Sequence, residues 1–203
     1  MERSPSLRCD NTPNGDRASR HPYGLSPLWV GVGLLATIIG VVSDSRKMGK
    51  TKLLVELIRR LVKKGYRVAT VKHISEQVFD TPSKDTWLHL NAGASEVMAV
   101  TETELVRIGR PSRPSLELAL SQLSGQYDFV LIEGFKRSRF PKILIRGKTR
   151  RRTMPIQNVI ATLDLESAES SETLLNNDLL DQLVRRLELV RLGQTEGKPS
   201  PRR

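Results

Sequence analysis

Cysteine is almost absent from this 203-residue chain. Cys9 stands alone, which excludes a disulfide framework and a thiolate zinc cluster. Aromatic residues make up only 4% of the sequence, a poor basis for reading nucleic acid by stacked bases. Long hydrophobic runs are missing too. The apolar stretch Leu28–Val42 falls short of the roughly 20 residues that a bilayer-spanning helix requires. It follows a basic segment, as the core of a signal peptide would, but no small-residue cleavage site separates it from the loop beyond. No internal repeat is present. What remains is an ordinary globular composition, 38% hydrophobic and 27% charged, long enough for one core.

Acid is lacking in one place in particular. Lys136, Arg137, Arg139, Lys142, Arg146, Lys148, Arg150, Arg151 and Arg152 are nine positive charges with no Asp or Glu between them. The whole chain carries 33 Lys and Arg against 22 Asp and Glu, a formal charge of +11, so the rest is nearly balanced. Two explanations stand: a solvated basic loop with a strand through it, or a surface for phosphates, an acidic partner or nucleic acid.

Residues 1–27 are rich in Ser, Pro, Asn and Arg without periodicity. Residues 1–33 are therefore expected to form a disordered or non-native extension. A domain is expected over 34–192 and a disordered basic tail over 193–203. Within the domain, strand and helix patterns alternate. Ala36–Ser43 is a continuous apolar strand of the kind buried on both faces. Lys50–Lys64 places Leu53, Leu54, Leu57, Ile58, Leu61 and Val62 at helical spacing, and Gly65 stops it. Strands are predicted over Tyr66–Lys72, Glu96–Val100, Tyr127–Glu133, Lys142–Arg146 and Asn158–Leu163, with Leu105–Gly109 pairing beside the second. Helices are predicted over Thr86–Ala92, Ser115–Leu123 and Thr173–Leu192.

The segment Asp44–Thr51, DSRKMGKT, joins the first strand to the first helix. It matches the end of the phosphate-loop pattern G-x-x-x-x-G-K-[ST], in which backbone N–H groups, a Lys and a hydroxyl cradle phosphates and Mg²⁺. Gly49, Lys50 and Thr51 supply the last three positions, and the helix N-terminus adds its dipole. Asp44 replaces the first glycine. Asp tolerates a left-handed backbone, which keeps the turn possible. Its carboxylate must turn away from phosphates or be offset by Arg46 and Lys47. Such a site also needs a carboxylate at the end of a neighbouring buried strand. Glu133, before Gly134, is placed for that, although a strand-end Glu paired with a neighbouring Lys is the alternative. The fold expected is α/β of the P-loop NTPase type: a mostly parallel central sheet with helices on both faces and an added strand segment around 136–152.

Beyond the loop, the chain resembles the MobB family, adaptors of molybdopterin-guanine dinucleotide biosynthesis. The resemblance runs from Ile38 to about Leu192. It rests on IIGVV…MGKTKLL (Ile38–Leu54), the pair Lys72–His73, PSKDTWLHLNAGA (Pro82–Ala94), LIEGFKRSRFPKILIR (Leu131–Arg146) and VIATLD (Val159–Asp164). It implies a cytoplasmic, homodimeric protein that binds GTP with Mg²⁺, hydrolyses it weakly and assists a molybdenum cofactor guanylyltransferase acting on molybdopterin. On that basis Arg46, Lys47, Met48, Gly49, Lys50, Thr51 and Lys52 hold the nucleotide, and Thr51 and Glu133 hold the metal. Glu133 and Asp85 are the catalytic candidates, with Asp80 a further acid near the γ-phosphate. Asp164 would accept hydrogen bonds from guanine, or else cap the following helix. Where the family has a His-rich stretch after Lys-His, this chain has Ile74–Gln77, which removes possible metal or proton-transfer ligands and favours binding over turnover. His73 alone fits a structural role as well.

Two other functions compete. A P-loop kinase for a small metabolite would use Arg150–Arg152 as a lid. A nucleic-acid-associated protein would use the same basic segment, against the low aromatic content and the lack of a recognisable binding module.

Overall fold

Strand β1 (Thr37–Ser43) is apolar along nearly its whole length because it lies in the middle of a sheet and is buried on both faces. The structure, a computed structural model, describes residues 36–75, 79–80, 82–123, 125–147, 155–165 and 176–196. The expected N-terminal extension, Glu76, Gln77, Lys148 and Arg150–Arg152 lie outside the described residues. Around β1 are β2 (Val68–Lys72), β5 (Phe129–Glu133), β6 (Lys142–Gly147) and β7 (Val159–Leu165), in the order β2-β5-β1-β6-β7. Every neighbouring pair is parallel. Strands β3 (Glu96–Val100) and β4 (Leu105–Gly109) form a separate antiparallel hairpin.

Helix α1 (Lys50–Lys63) carries β1 across β5 to β2, and buries Leu53, Leu54, Leu57 and Leu61. Each buried Leu stabilises by roughly 1.5–3 kcal/mol before chain entropy is subtracted, so this stripe fixes how the helix docks. Val62, predicted to face inward, is 54% exposed. Gly65 ends the segment at φ 89, a conformation that favours glycine. Helix α4 (Asn177–Glu196) joins the same layer through Leu180, Leu183, Val184 and Leu187. It begins later than predicted among the described residues and runs on through Gly193–Glu196, beyond the expected boundary.

Ile39, Val41, Phe129, Leu131, Ile143 and Ile145 meet α1 and α4 in one core. The intervening Val42, Val130, Ile132 and Leu144 are buried on the opposite face. Short α2 (Asp85–Asn91) lies beside β3, and α3 (Leu116–Leu123) packs against β2 ahead of β5. Right-handed crossovers place α1 and α3 on opposite faces of the sheet. The expected α/β layering is present. The strand expected within 136–152 is β6, which lies between β1 and β7 in the sheet. Among the described residues no helix is long and apolar enough to cross a membrane.

Candidate functional site: the phosphate loop and its carboxylate

At the C-terminal end of β1 the chain turns through residues 44–49 into α1, the place where parallel sheets bind ligands. Lys47 (φ 60) and Gly49 (φ 75) carry the left-handed turns. Asp44 does not, so its tolerance of such a backbone goes unused. Its carboxylate accepts the Gly147 N–H, at 3.2 and 3.1 Å to its two oxygens. The acid thus faces the end of β6 and leaves the loop's inner rim to backbone amides. Gly49 is the residue before α1, and its carbonyl accepts from Leu53 N–H at 3.0 Å. The amides of Lys50, Thr51 and Lys52 precede the helical ladder and are the natural donors to an anion.

The side chains of the motif diverge. Met48 is buried against Gly147, where an added Cβ would come within 3.2 Å of its Cε, so only its main chain can serve a phosphate. Arg46, Lys47 and Lys52 are exposed. Lys50 Nζ donates to Ser43 Oγ at 3.2 Å. Burial lowers the Lys50 pKa from its ordinary value. The Glu133 charge opposes that effect, while Lys136 and Lys72 add to it. Thr51 Oγ1 lies 3.1 Å from both oxygens of Glu133, to which it donates. The Glu133 carboxylate also faces Lys72 Nζ at 3.7 Å. Glu133 is thus a strand-end carboxylate with a Lys neighbour.

The register explains this meeting. Val41 pairs with Glu133, and Lys72 with the same Glu133, so β2 and β5 end at one level beside β1, which runs on to Ser43. Gly134 follows at φ 98, and a Cβ there would stand 2.9 Å from His73 Cβ. Glycine is required at this position. His73 donates its N–H to the Glu133 carbonyl at 2.9 Å and meets the Phe135 ring edge-on, centroids 4.8 Å apart.

Asp85 and Asp164 lie apart from this cluster. Asp85 opens α2, and among the described residues no hydrogen bond or ion pair joins it to the loop. Asp80 accepts from Thr86 Oγ1 at 3.1 Å. Asp164 belongs to β7, near its C-terminal end, and is exposed. Its carboxylate lies 3.8 Å from Arg146 Nε. It stands two strands from β1, about 10 Å at the usual spacing.

Sequence reasoning missed Ser43, Lys72 as the partner of Glu133, and above all Lys142. Counted with the basic surface, Lys142 is fully buried. Its ammonium donates to the carbonyls of Ser138, Phe140 and Gln157, the last two at 2.7 and 3.3 Å. Desolvation lowers its pKa. Nothing in the order of residues signals this, because it depends on Lys142 lying level with Gly40 in the neighbouring strand. The Gly40 position makes room: a Cβ there would stand 3.1 Å from Lys142 Cγ.

The family profile described as MobB, molybdopterin guanine dinucleotide synthesis protein B, matches residues 38–164. The chain belongs to the MobB family. A relative in Haemophilus influenzae, a molybdopterin-guanine dinucleotide biosynthesis adapter protein, is 30% identical over 155 residues, spanning 72% of this chain and 85% of that one. The protein of the same description in Escherichia coli is 30% identical over 102 residues, spanning 48% and 58%. Among solved structures, a molybdopterin-guanine biosynthesis protein B is similar with 24% identity and a TM-score of 0.47, covering 68% of this chain and 97% of the other. A MobB homologue from Bacillus stearothermophilus gives 23% and 0.44, with 73% and 97% covered. The MobB match spans the phosphate loop, Glu133 and Asp164 together.

Proposed function

We propose that this chain is a GTP-binding adapter in molybdopterin-guanine dinucleotide biosynthesis that binds GTP with Mg²⁺ at the phosphate loop and hydrolyses it weakly. The observation that carries the reading is the convergence of Thr51 Oγ1 and the Glu133 carboxylate, 3.1 Å apart, beside Lys50. Two hard oxygen donors at the start of a helix suit Mg²⁺, which prefers a few protein oxygens plus water and phosphate. Thr51 would hold the ion directly and Glu133 would hold its water shell. The bound ion would neutralise charge on the β- and γ-phosphates.

The protein's own groups do the rest. Lys50 neutralises phosphate charge, while the amides of Gly49–Lys52 orient the oxygens. Glu133 is already shared by Thr51 and Lys72, an arrangement better suited to holding a hydrated cation than to taking a proton from water. That supports binding over rapid turnover. Asp85 is the second candidate acid, in the stretch following Lys72. Asp164, at the C-terminal end of β7, is the candidate acceptor for guanine.

The adapter role comes from family membership and from the description of the relatives. Its partners in this reading are a molybdenum cofactor guanylyltransferase, molybdopterin or its guanine dinucleotide, and a second copy of the chain, in the cytoplasm. The hairpin supports self-association. Met98, Val100 and Leu105 share one face of it and are mostly exposed, and a two-stranded sheet is marginal unless something covers it. A fluorescent GTP analogue with Mg²⁺ tests the reading. Saturable binding with strong preference over ATP is expected, and equal affinity for ATP would turn the assignment towards a small-molecule kinase.

A further inference from the structure

A cavity of about 500 Å³ opens beside the phosphate loop. On one side it is lined by Lys136, Arg137 and Ser138, from the segment that crosses from β5 to β6. On the other are Pro155, Ile156 and Gln157, which lead into β7. Asp44 reaches it from the phosphate loop, but its carboxylate is turned onto the Gly147 N–H. Lys136 is close enough to Lys50 to lower its pKa, so the cationic wall is electrostatically continuous with the phosphate loop.

The walls are held together from below. The buried Lys142 ammonium donates to Ser138 O on one wall and Gln157 O on the other. Asn158 Nδ2 donates to Arg139 O at 2.6 Å, a second tie between the same segments. Phe135 and Asn158, one beside each wall, hold left-handed backbone at φ 49 and 57. Such conformations persist only where the surroundings over-determine them, and they gather at binding sites. A lysine buried at full desolvation, satisfied by three carbonyls, is a costly way to join two loops unless their spacing matters.

We propose that this cavity is a second ligand site, for an organic phosphomonoester that binds next to the nucleotide. Two cations suit a phosphate dianion. The hydroxyl of Ser138 and the amide of Gln157 supply orienting hydrogen bonds, and Pro155 with Ile156 supplies an apolar wall for the body of the molecule. The volume lies in the range of small-molecule sites and exceeds the need of a bare phosphate ion. The inference rests on the phosphate loop being the nucleotide site, since it assigns the cavity to something else.

Phenyl phosphate is a suitable probe, titrated calorimetrically into the full chain with and without saturating GTP and Mg²⁺. The expected result is one submillimolar site that GTP does not displace and that binds phenyl phosphate roughly tenfold more tightly than inorganic phosphate. Lys50→Ala should retain this site, whereas Arg137→Glu should weaken it at least roughly tenfold with an unchanged thermal midpoint. Competition with GTP, or loss in Lys50→Ala, would show the probe sitting in the phosphate loop and overturn the proposal. Equal affinity for inorganic phosphate, or no binding, would overturn it as well. Failure of GTP to bind would count against the nucleotide reading alone, because the phenyl phosphate titration is read without GTP.

Discussion

At the N-terminal end of the central sheet, Asp128 faces Arg191 at 2.8 Å and Arg67 at 3.6 Å, and Glu188 pairs with Lys64 and Tyr66. At the C-terminal end, Lys50 lies within the fields of Lys72, Lys136 and Glu133, and Glu133 faces Lys72 at 3.7 Å. The same residue types are neutralised at one end and left in excess at the other. The first end also uses its cation for packing: the Arg191 guanidinium lies 5.5 Å from the Phe129 ring centroid and 5.9 Å from that of Tyr66. It fastens α4 to the start of β5. The second end is the one we propose meets the phosphates. On that reading the contrast separates charges that hold the fold from charges that serve a ligand.

Four substitutions probe that contrast. Lys50→Ala should reduce GTP binding most, by at least about 100-fold, or roughly 3 kcal/mol, with an unchanged melting temperature. Affinity and thermal melts measured on one preparation would reveal whether the site end also carries stability, which would break the contrast. Asp128→Ala should do the reverse. It leaves Arg191 poorly partnered at 15% side-chain exposure and should cost about 2–3 kcal/mol, lowering the midpoint by roughly 5–10 °C. GTP affinity should be unchanged below that midpoint.

The third probe, Glu133→Gln, is read through pH. Burial lowers the Lys50 pKa in the free protein, and a bound phosphate would raise it again. Affinity is therefore full while Lys50 is protonated in the free state and declines as pH rises through that lowered value. Glu133 raises the Lys50 pKa, so its neutralisation should move the decline to lower pH and blunt the dependence on Mg²⁺. A pH profile identical to wild type would mean that the two groups are not coupled. The smallest effect is expected from Asp164→Asn. Preference for GTP over ATP should fall roughly tenfold, with little change in ATP affinity. An unchanged preference would remove Asp164 from the site.

Much of this arrangement was legible in the residue order. The apolar runs of β1, β5 and β6 and the leucine stripe of α1 fix elements whose patterns are strong and local. The meeting of Lys50, Thr51 and Glu133 also follows, since a phosphate loop implies a neighbouring strand-end carboxylate. What was not legible depends on strand order and register. Lys72 meets Glu133 only because β2 lies beside β5, and Lys142 is buried only because β6 begins level with Gly40. The run of basic residues looked like one surface because sequence spacing does not reveal which positions face inward. Lys142 is a structural pin, Arg146 faces Asp164, and Lys136 and Arg137 remain for the cavity. Asp44 was legible as an anomaly and not as a solution: the residue whose N–H it accepts is over 100 positions away.

That solution has a mechanical side. Two hydrogen bonds from one amide make the first residue of the phosphate loop and the last residue of β6 a single coupled joint. The chain beyond Gly147 is the arginine-rich stretch, so that stretch and the phosphate loop leave the sheet from one shared joint.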